Sequence, residues 1–197
     1  MELALLYSGG KDSSLAALVL DGFYDVRLVT AHFDVTDDHE HARQAAAALG
    51  FPFETHELDP EVAAEAVETM REDGYPRNGI QQVHEHAMEE VAALDVDAVA
   101  DGTRRDDRVP SVSRAFAQSL EDRHGVDYIA PLSGFGRNAV DRLVGETLEV
   151  ESGPSEEIPK SDYEGELREL LRADGGDDAV AEVFPAHEQT YVRGTLE

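Results

Sequence analysis

Residues 3–15, Leu3-Ala4-Leu5-Leu6-Tyr7-Ser8-Gly9-Gly10-Lys11-Asp12-Ser13-Ser14-Leu15, place an apolar run directly before a helical pattern, with two glycines at the join. The run predicts a buried strand over Leu3–Tyr7. Leu15, Leu18 and Val19 at helical spacing predict a helix over Ser13–Leu20 that ends before Gly22. A strand that turns on glycines into a helix builds an anion site, because the helix N-terminus presents unpaired N–H groups and the positive end of its dipole. Gly9 and Gly10 let the backbone approach an anion and adopt positive φ. Ser8 and Ser13 supply hydroxyls, Lys11 a point charge, and Asp12 a carboxylate suited to Mg²⁺.

Working outward, strands and helices alternate. Strands are expected at 26–33, 51–57, 98–100 and 128–130. Helices are expected at 38–49, 60–71, 80–94 and 111–123, with another starting near Asn138. Gly50 stops the second helix, and Pro60 sits at the first position of the third. Short apolar strands separated by helices predict an α/β fold, a parallel sheet with helices on both faces. Near Val150 the composition shifts. Residues 151–159 read as an irregular linker, 162–173 as a helix broken at Gly175-Gly176, and 183–192 as a small terminal element. The expected division is an α/β domain over 1–150, with a linker, helix and tail over 151–197 packing on or near the site.

The net charge is −27, and the lysines are Lys11 and Lys160. An acidic, lysine-poor surface predicts a protein of concentrated salt, where carboxylate repulsion is screened. It argues against nonspecific, charge-driven binding of nucleic acid. With no cysteine, disulfides, thiolate zinc sites and iron–sulfur ligation are excluded. No apolar run reaches membrane-spanning length, so no membrane association is expected. The start MELALLYSGGKDS has no basic n-region, so a cytoplasmic location is expected.

Ser8-Gly9-Gly10-Lys11-Asp12-Ser13 resembles the pyrophosphate-binding loop of the PP-loop (N-type) ATP pyrophosphatases. It is not a Walker A loop, which needs G-x-x-x-x-G-K-[ST]. The resemblance implies a Rossmann-like adenine nucleotide alpha hydrolase (HUP-type) fold, with a five-stranded sheet in the order 3-2-1-4-5. The ligand crevice then lies between strands 1 and 4. It implies ATP and Mg²⁺, and splitting of ATP into pyrophosphate and an adenylated acceptor. On this reading Ser8, Gly9, Gly10 and Ser13 cradle pyrophosphate, Lys11 neutralises it, and Asp12 with Asp106 or Asp107 organises Mg²⁺. Lys11, Asp12 and Asp107 are the expected catalytic residues. The end of strand 2 in this fold packs on adenine, which makes Tyr7, Ala31, His32 and Phe33 pocket candidates. Asp101-Gly102-Thr103-Arg104-Arg105-Asp106-Asp107-Arg108 is similar to the Gly-Thr stretches of GMP and NAD synthetases. It makes Gly102, Thr103 and Arg104 nucleotide contacts, with Arg105 and Arg108 as further phosphate clamps. Related enzymes bring tail residues to the phosphates, which nominates Lys160.

The acceptor is less constrained. The arrangement from SGGKDS through DGTRRDDRVPS to FPAHEQ is similar to small archaeal PP-loop ATPases linked to tRNA modification. A carbonyl or carboxylate oxygen, as on a tRNA base, is the expected point of adenylation, with AMP then displaced by a nitrogen or sulfur nucleophile. Many thiolation enzymes use cysteine, so sulfur here needs free sulfide or a partner subunit; a homodimer is the default assembly. Amide ligation of a small molecule or protein is the alternative enzyme reading. A nucleotide-binding protein without catalysis is the other class. His39/His41 and His84/His86 are spaced i, i+2, which points each pair to different faces of a helix and argues against a shared metal. The 73–79 and 131–138 loops and the tail residues Tyr163, His187 and Gln189 are secondary candidates for lining or closing the site.

Overall fold

Leu3 and Leu5 of β1 (Glu2–Leu6) pack into one apolar cluster while Ala4 and Leu6 pack into another, and none of the four is appreciably exposed. A strand buried on both faces is a central strand of a parallel sheet. β1 lies between β2 (Asp25–His32) and β4 (Ala98–Ala100), with Leu5 in register with Leu28 on one side and Ala100 on the other. With β3 (Phe53–Glu57) and β5 (Asp127–Ile129) at the edges, the five parallel strands run in the order β3-β2-β1-β4-β5. The fold is the expected Rossmann-like α/β arrangement, with its switch point between β1 and β4. The computed structural model describes residues 1–159 and 161–196.

One face of the sheet is covered by α1 (Lys11–Leu20), α2 (His39–Leu49) and α6 (Arg137–Thr147), through residues such as Leu15, Ala45 and Val140. The other is covered by α3 (Pro60–Asp73), α4 (Arg77–Ala92), α5 (Arg114–His124) and α7 (Tyr163–Val183), through Met70, Val83, Leu120 and Leu167. Each large aliphatic side chain so buried stabilises the fold by roughly 1.5–3 kcal/mol. Among the described residues no helix is long and apolar enough to cross a membrane.

The sequence-based boundaries are corrected in three places. Residues 151–154, expected in an irregular linker, belong to β6 (Leu148–Pro154), which pairs antiparallel with β7 (Glu188–Thr195). The pairing has a register shift between Glu149 and Val150, and Pro154 sits at its end, where a missing N–H costs no ladder bond. The ribbon joins residues on either side of position 150. The expected break falls at Gly176, which takes φ 71° and ψ −169°, but a second helical stretch that was not expected continues α7 to Val183. α5 starts at Arg114 rather than Ser111, because Ser113 is the cap whose Oγ accepts the Phe116 amide.

The C-terminal elements straddle the sheet. α7 buries Leu167 and Leu171 in the α3/α4 cluster, while Tyr191 and Val192 of β7 pack with Tyr7, Ala42 and Ala45 on the opposite face.

Candidate active site

β1 ends at Leu6, and Gly9 turns the chain into α1 with φ +75°, a conformation that favours glycine. The Gly9 carbonyl accepts the Val192 amide at 3.0 Å, which ties the loop to β7. Gly10 is the N-cap of α1, and no side chain caps it. Gly10 therefore leaves the amides of the first turn without an acceptor from the N-cap side chain. Ser8 and Ser13 brace the loop from within: their hydroxyls lie 3.3 Å apart, and Ser13 Oγ donates to the Gly10 carbonyl at 3.2 Å. One amide is taken, since Lys11 N–H donates to Thr190 Oγ1 at 3.3 Å.

Charge gathers over this turn. Lys11 Nζ lies 2.7 Å from Asp12 Oδ1 and 3.4 Å from Asp141 Oδ1 on α6. Arg104 Nη1 lies 3.5 Å from Asp12 Oδ2, and Arg104 Nη2 lies 2.7 Å from Asp107 Oδ1. The Arg104 amide also donates to Asp107 at 2.7 Å, so Asp107 closes a turn and fixes its own arginine. The hydrogen bond to Asp107, outweighing partial burial, raises the Arg104 pKa above its ordinary value and keeps the guanidinium charged. Lys11, Asp12, Arg104 and Asp107 thus form one chain of alternating charge, which Asp141 extends.

Gly102 sets the approach of the two loops. A Cβ on Gly102 would lie 2.7 Å from Ser13 N and 2.8 Å from Ser13 Cα, so only glycine lets the β4 loop rest on the first turn of α1. Beneath it, Asp101 is nearly sealed from water and accepts from Thr103 N at 3.0 Å, Thr103 Oγ1 at 2.6 Å and Tyr128 Oη at 3.2 Å. Its Oδ2 also lies 2.9 Å from His84 Nε2. Burial opposes ionisation of Asp101, but the hydrogen bond and charge of His84, with the Thr103 bonds, outweigh it and hold the pKa below the ordinary carboxylate value. His84 therefore faces a carboxylate in the interior.

Other candidates are not gathered here. Asp106 points to Arg105 at 3.3 Å and accepts the Arg137 amide at 3.3 Å; the Arg105 hydrogen bond leads in lowering its pKa. Tyr7 lies in the α1/α2 cluster, its phenol 3.0 Å from Ser14 Oγ, and burial raises its pKa far above the usual value. Ala31 and Phe33 lie in the cluster on the opposite face, so the three do not line a common wall. His32 is half-buried, its Nδ1 accepting the Asp34 amide at 3.2 Å and its ring stacked on His39 with centroids 4.7 Å apart. Lys160 lies outside the described residues. His187 and Gln189 bind the start of α7, at Glu164 and Asp162. Among the described residues no three carboxylate or imidazole groups converge as a metal set.

Three residues at these loops carry no local sequence signal. Asp141 and Thr190 reach the α1 turn only through packing of α6 and β7. Glu166 of α7 reaches the exit of β2, where its carboxylate accepts the Phe33 amide through both oxygens, at 3.0 and 2.9 Å, and the Val35 amide at 3.0 Å. Asp34, between the two donors, takes φ +59°, which turns both amides the same way. Such a backbone nest is an anion-binding concavity.

An uncharacterized protein of Methanocaldococcus jannaschii is 40% identical over 195 residues, covering 98% of this chain and 96% of its own. A crystal structure described as a predicted subunit of tRNA methyltransferase, from the same organism, superposes with a TM-score of 0.91 at 39% identity, covering 100% of this chain and 98% of that one. Residues 1–194 match a family model of unknown function, and the chain belongs to that family, DUF7411.

Proposed function

We propose that the protein is an ATP pyrophosphatase of the PP-loop kind that adenylates an oxygen of an acceptor, with a tRNA base as the favoured acceptor. The observation that carries this reading is the first turn of α1 at the β1/β4 switch point, where Gly10 offers no side-chain cap and Thr190 takes only the Lys11 amide, with Lys11 and Arg104 beside it. Free amides, a helix dipole and two cations suit a polyphosphate anion. In the proposed reaction an acceptor oxygen attacks the α-phosphorus, the α–β bridging bond breaks, and the electron pair leaves on pyrophosphate. A nitrogen or sulfur nucleophile then displaces AMP. The protein's part is positioning and charge neutralisation: the Gly9–Ser13 turn holds the leaving group while Lys11 and Arg104 offset its growing charge.

Mg²⁺ is held mainly by phosphate oxygens with one or two carboxylates. The hard oxygen donors of Asp12, at the turn itself, fit that requirement, and Asp107 lies across Arg104 from it. When bound there, the ion would offset charge on the pyrophosphate.

The tRNA acceptor is supported by the neighbour described as a predicted subunit of tRNA methyltransferase. That description also favours a partner chain, which suits a protein with no cysteine of its own to carry sulfur. The test is pyrophosphate release from MgATP in molar KCl, with total tRNA and with a panel of small carboxylates. Release stimulated by tRNA is expected. Release stimulated by a carboxylate alone transfers the reading to amide ligation, and no release in any mixture ends the enzymatic reading.

A further inference from the structure

A triphosphate seated on the α1 turn must extend its nucleoside over one of the flanking strand exits. The β4 side is closed: Gly102 rests on the Ser13 backbone, and Arg104 bridges Asp12 and Asp107 over it. The β2 side remains, which is also where the resemblance to the PP-loop enzymes places the base. There the chain presents two parallel amides, Phe33 and Val35, in the nest made by the positive φ of Asp34. This is the backbone hydrogen-bonding feature at the carboxyl edge that a base can use, and it is filled by the buried carboxylate of Glu166.

We infer that Glu166 is an internal occupant of the base subsite, whose carboxylate must leave the Phe33 and Val35 amides before a base can bind them. The inference rests on the nucleotide reading of the α1 turn. A second contact from the same C-terminal segment supports it. Thr190 occupies the Lys11 amide at the phosphate end, just as Glu166 occupies the amides at the β2 end. The segment that includes α7 and β7 therefore holds ligand-facing amides at both ends of the crevice. The two contacts differ in strength. Thr190 contributes one hydroxyl acceptor at 3.3 Å, whereas the Glu166 carboxylate accepts two amides, that of Phe33 through both oxygens at 3.0 and 2.9 Å and that of Val35 at 3.0 Å. The phosphate end is thus the more open to ligand. On this inference the α1 turn takes a polyphosphate directly, and the β2 exit takes a base only with release of Glu166.

The experiment is calorimetric titration of the full chain and its Glu166→Gln and Glu166→Ala variants, with MgATP and with magnesium tripolyphosphate, in molar KCl. The wild-type protein should bind the two ligands with similar affinity, because the base adds little. Both variants should bind MgATP about tenfold more tightly, with tripolyphosphate affinity unchanged. Glu166→Gln keeps the volume and packing of α7, and is the variant to read if Glu166→Ala does not fold. Hydrogen–deuterium exchange of the wild-type protein gives a second readout: backbone exchange over 163–172 should rise with MgATP and not with tripolyphosphate. MgATP affinity that is unchanged or lower in the variants, with tripolyphosphate still bound, overturns the assignment of Glu166 while leaving the phosphate site intact. So does MgATP binding without a rise in exchange. Binding of neither ligand by any of the proteins overturns the nucleotide reading and Glu166's role together.

Discussion

His84 Nε2 lies 2.9 Å from Asp101 Oδ2, with both side chains almost wholly removed from water and the Thr103 backbone and hydroxyl gathered on the other carboxylate oxygen. The pair joins α4 to the end of β4 and fixes the loop that carries Gly102 and Arg104. Removing one member of a buried pair leaves the other without compensation. Asp101→Asn is expected to lose about 3 kcal/mol of stability at neutral pH, measured by urea unfolding. The loss should depend on pH. Folded Asp101 has a lowered pKa, so its contribution is complete above the ordinary carboxylate range. It is lost as pH falls below about 4 and through the lower folded value. The gap between wild type and variant should narrow there at constant salt, and a gap independent of pH would count against this account.

Lys11→Ala tests the α1 turn. The ammonium makes ion pairs with Asp12 and Asp141 at a partly solvated site, so the variant should fold with a stability change of less than about 1 kcal/mol. Pyrophosphate release should fall by more than about 100-fold. A folded variant that retains release would remove Lys11 from the chemistry.

Gly102→Ala introduces a methyl group 2.7 Å from backbone rather than from a flexible side chain, so neighbouring atoms cannot simply rotate away. The β4 loop and the first turn of α1 must separate, at a cost of about 1–3 kcal/mol. Thermal denaturation should show the loss, and MgATP affinity should fall with it. An alanine variant that melts like the wild type would show that the two loops do not need this contact.

Thr190→Val keeps the β-branched shape that suits β7 but removes the acceptor of the Lys11 amide. The expected cost is about 1 kcal/mol, read from the urea midpoint in the absence of ligand. An unchanged midpoint would mean that water replaces the hydroxyl without loss.

The strands were legible because their signals are local, whereas their order was implied by the resemblance of Ser8–Ser13 to the PP-loop enzymes. A run such as Leu3–Tyr7, buried on both faces, cannot be a surface element, and the glycines after it fix where the turn comes. The phosphate-site candidates lie within that turn, so Ser8 to Ser13 could be read as a unit. The β6–β7 ribbon was missed because Leu148–Pro154 contains Gly153 and Pro154 and has no partner nearby in sequence; its strand character comes from pairing with 188–195. Asp141, Glu166 and Thr190 were missed for a related reason. An acid or a threonine on an ordinary helix or strand looks like surface until packing places it on a particular amide. Tyr7, Ala31 and Phe33 are nominated together only by the resemblance, which places adenine at the end of strand 2. The alternation of side chains along strands 1 and 2 sends Tyr7 to one face and the other two to the opposite face.

The bond between Lys11 and Thr190 spans 179 residues. During synthesis the loop of residues 8–13 leaves the ribosome before β2 to β6, and the strand that ties down its Gly9 carbonyl and Lys11 amide follows them all. Closing so long a loop is among the slower steps available to a folding chain. A nascent chain that has already formed β1, α1 and β2 thus holds an incompletely braced α1 turn, whose final geometry waits on β7.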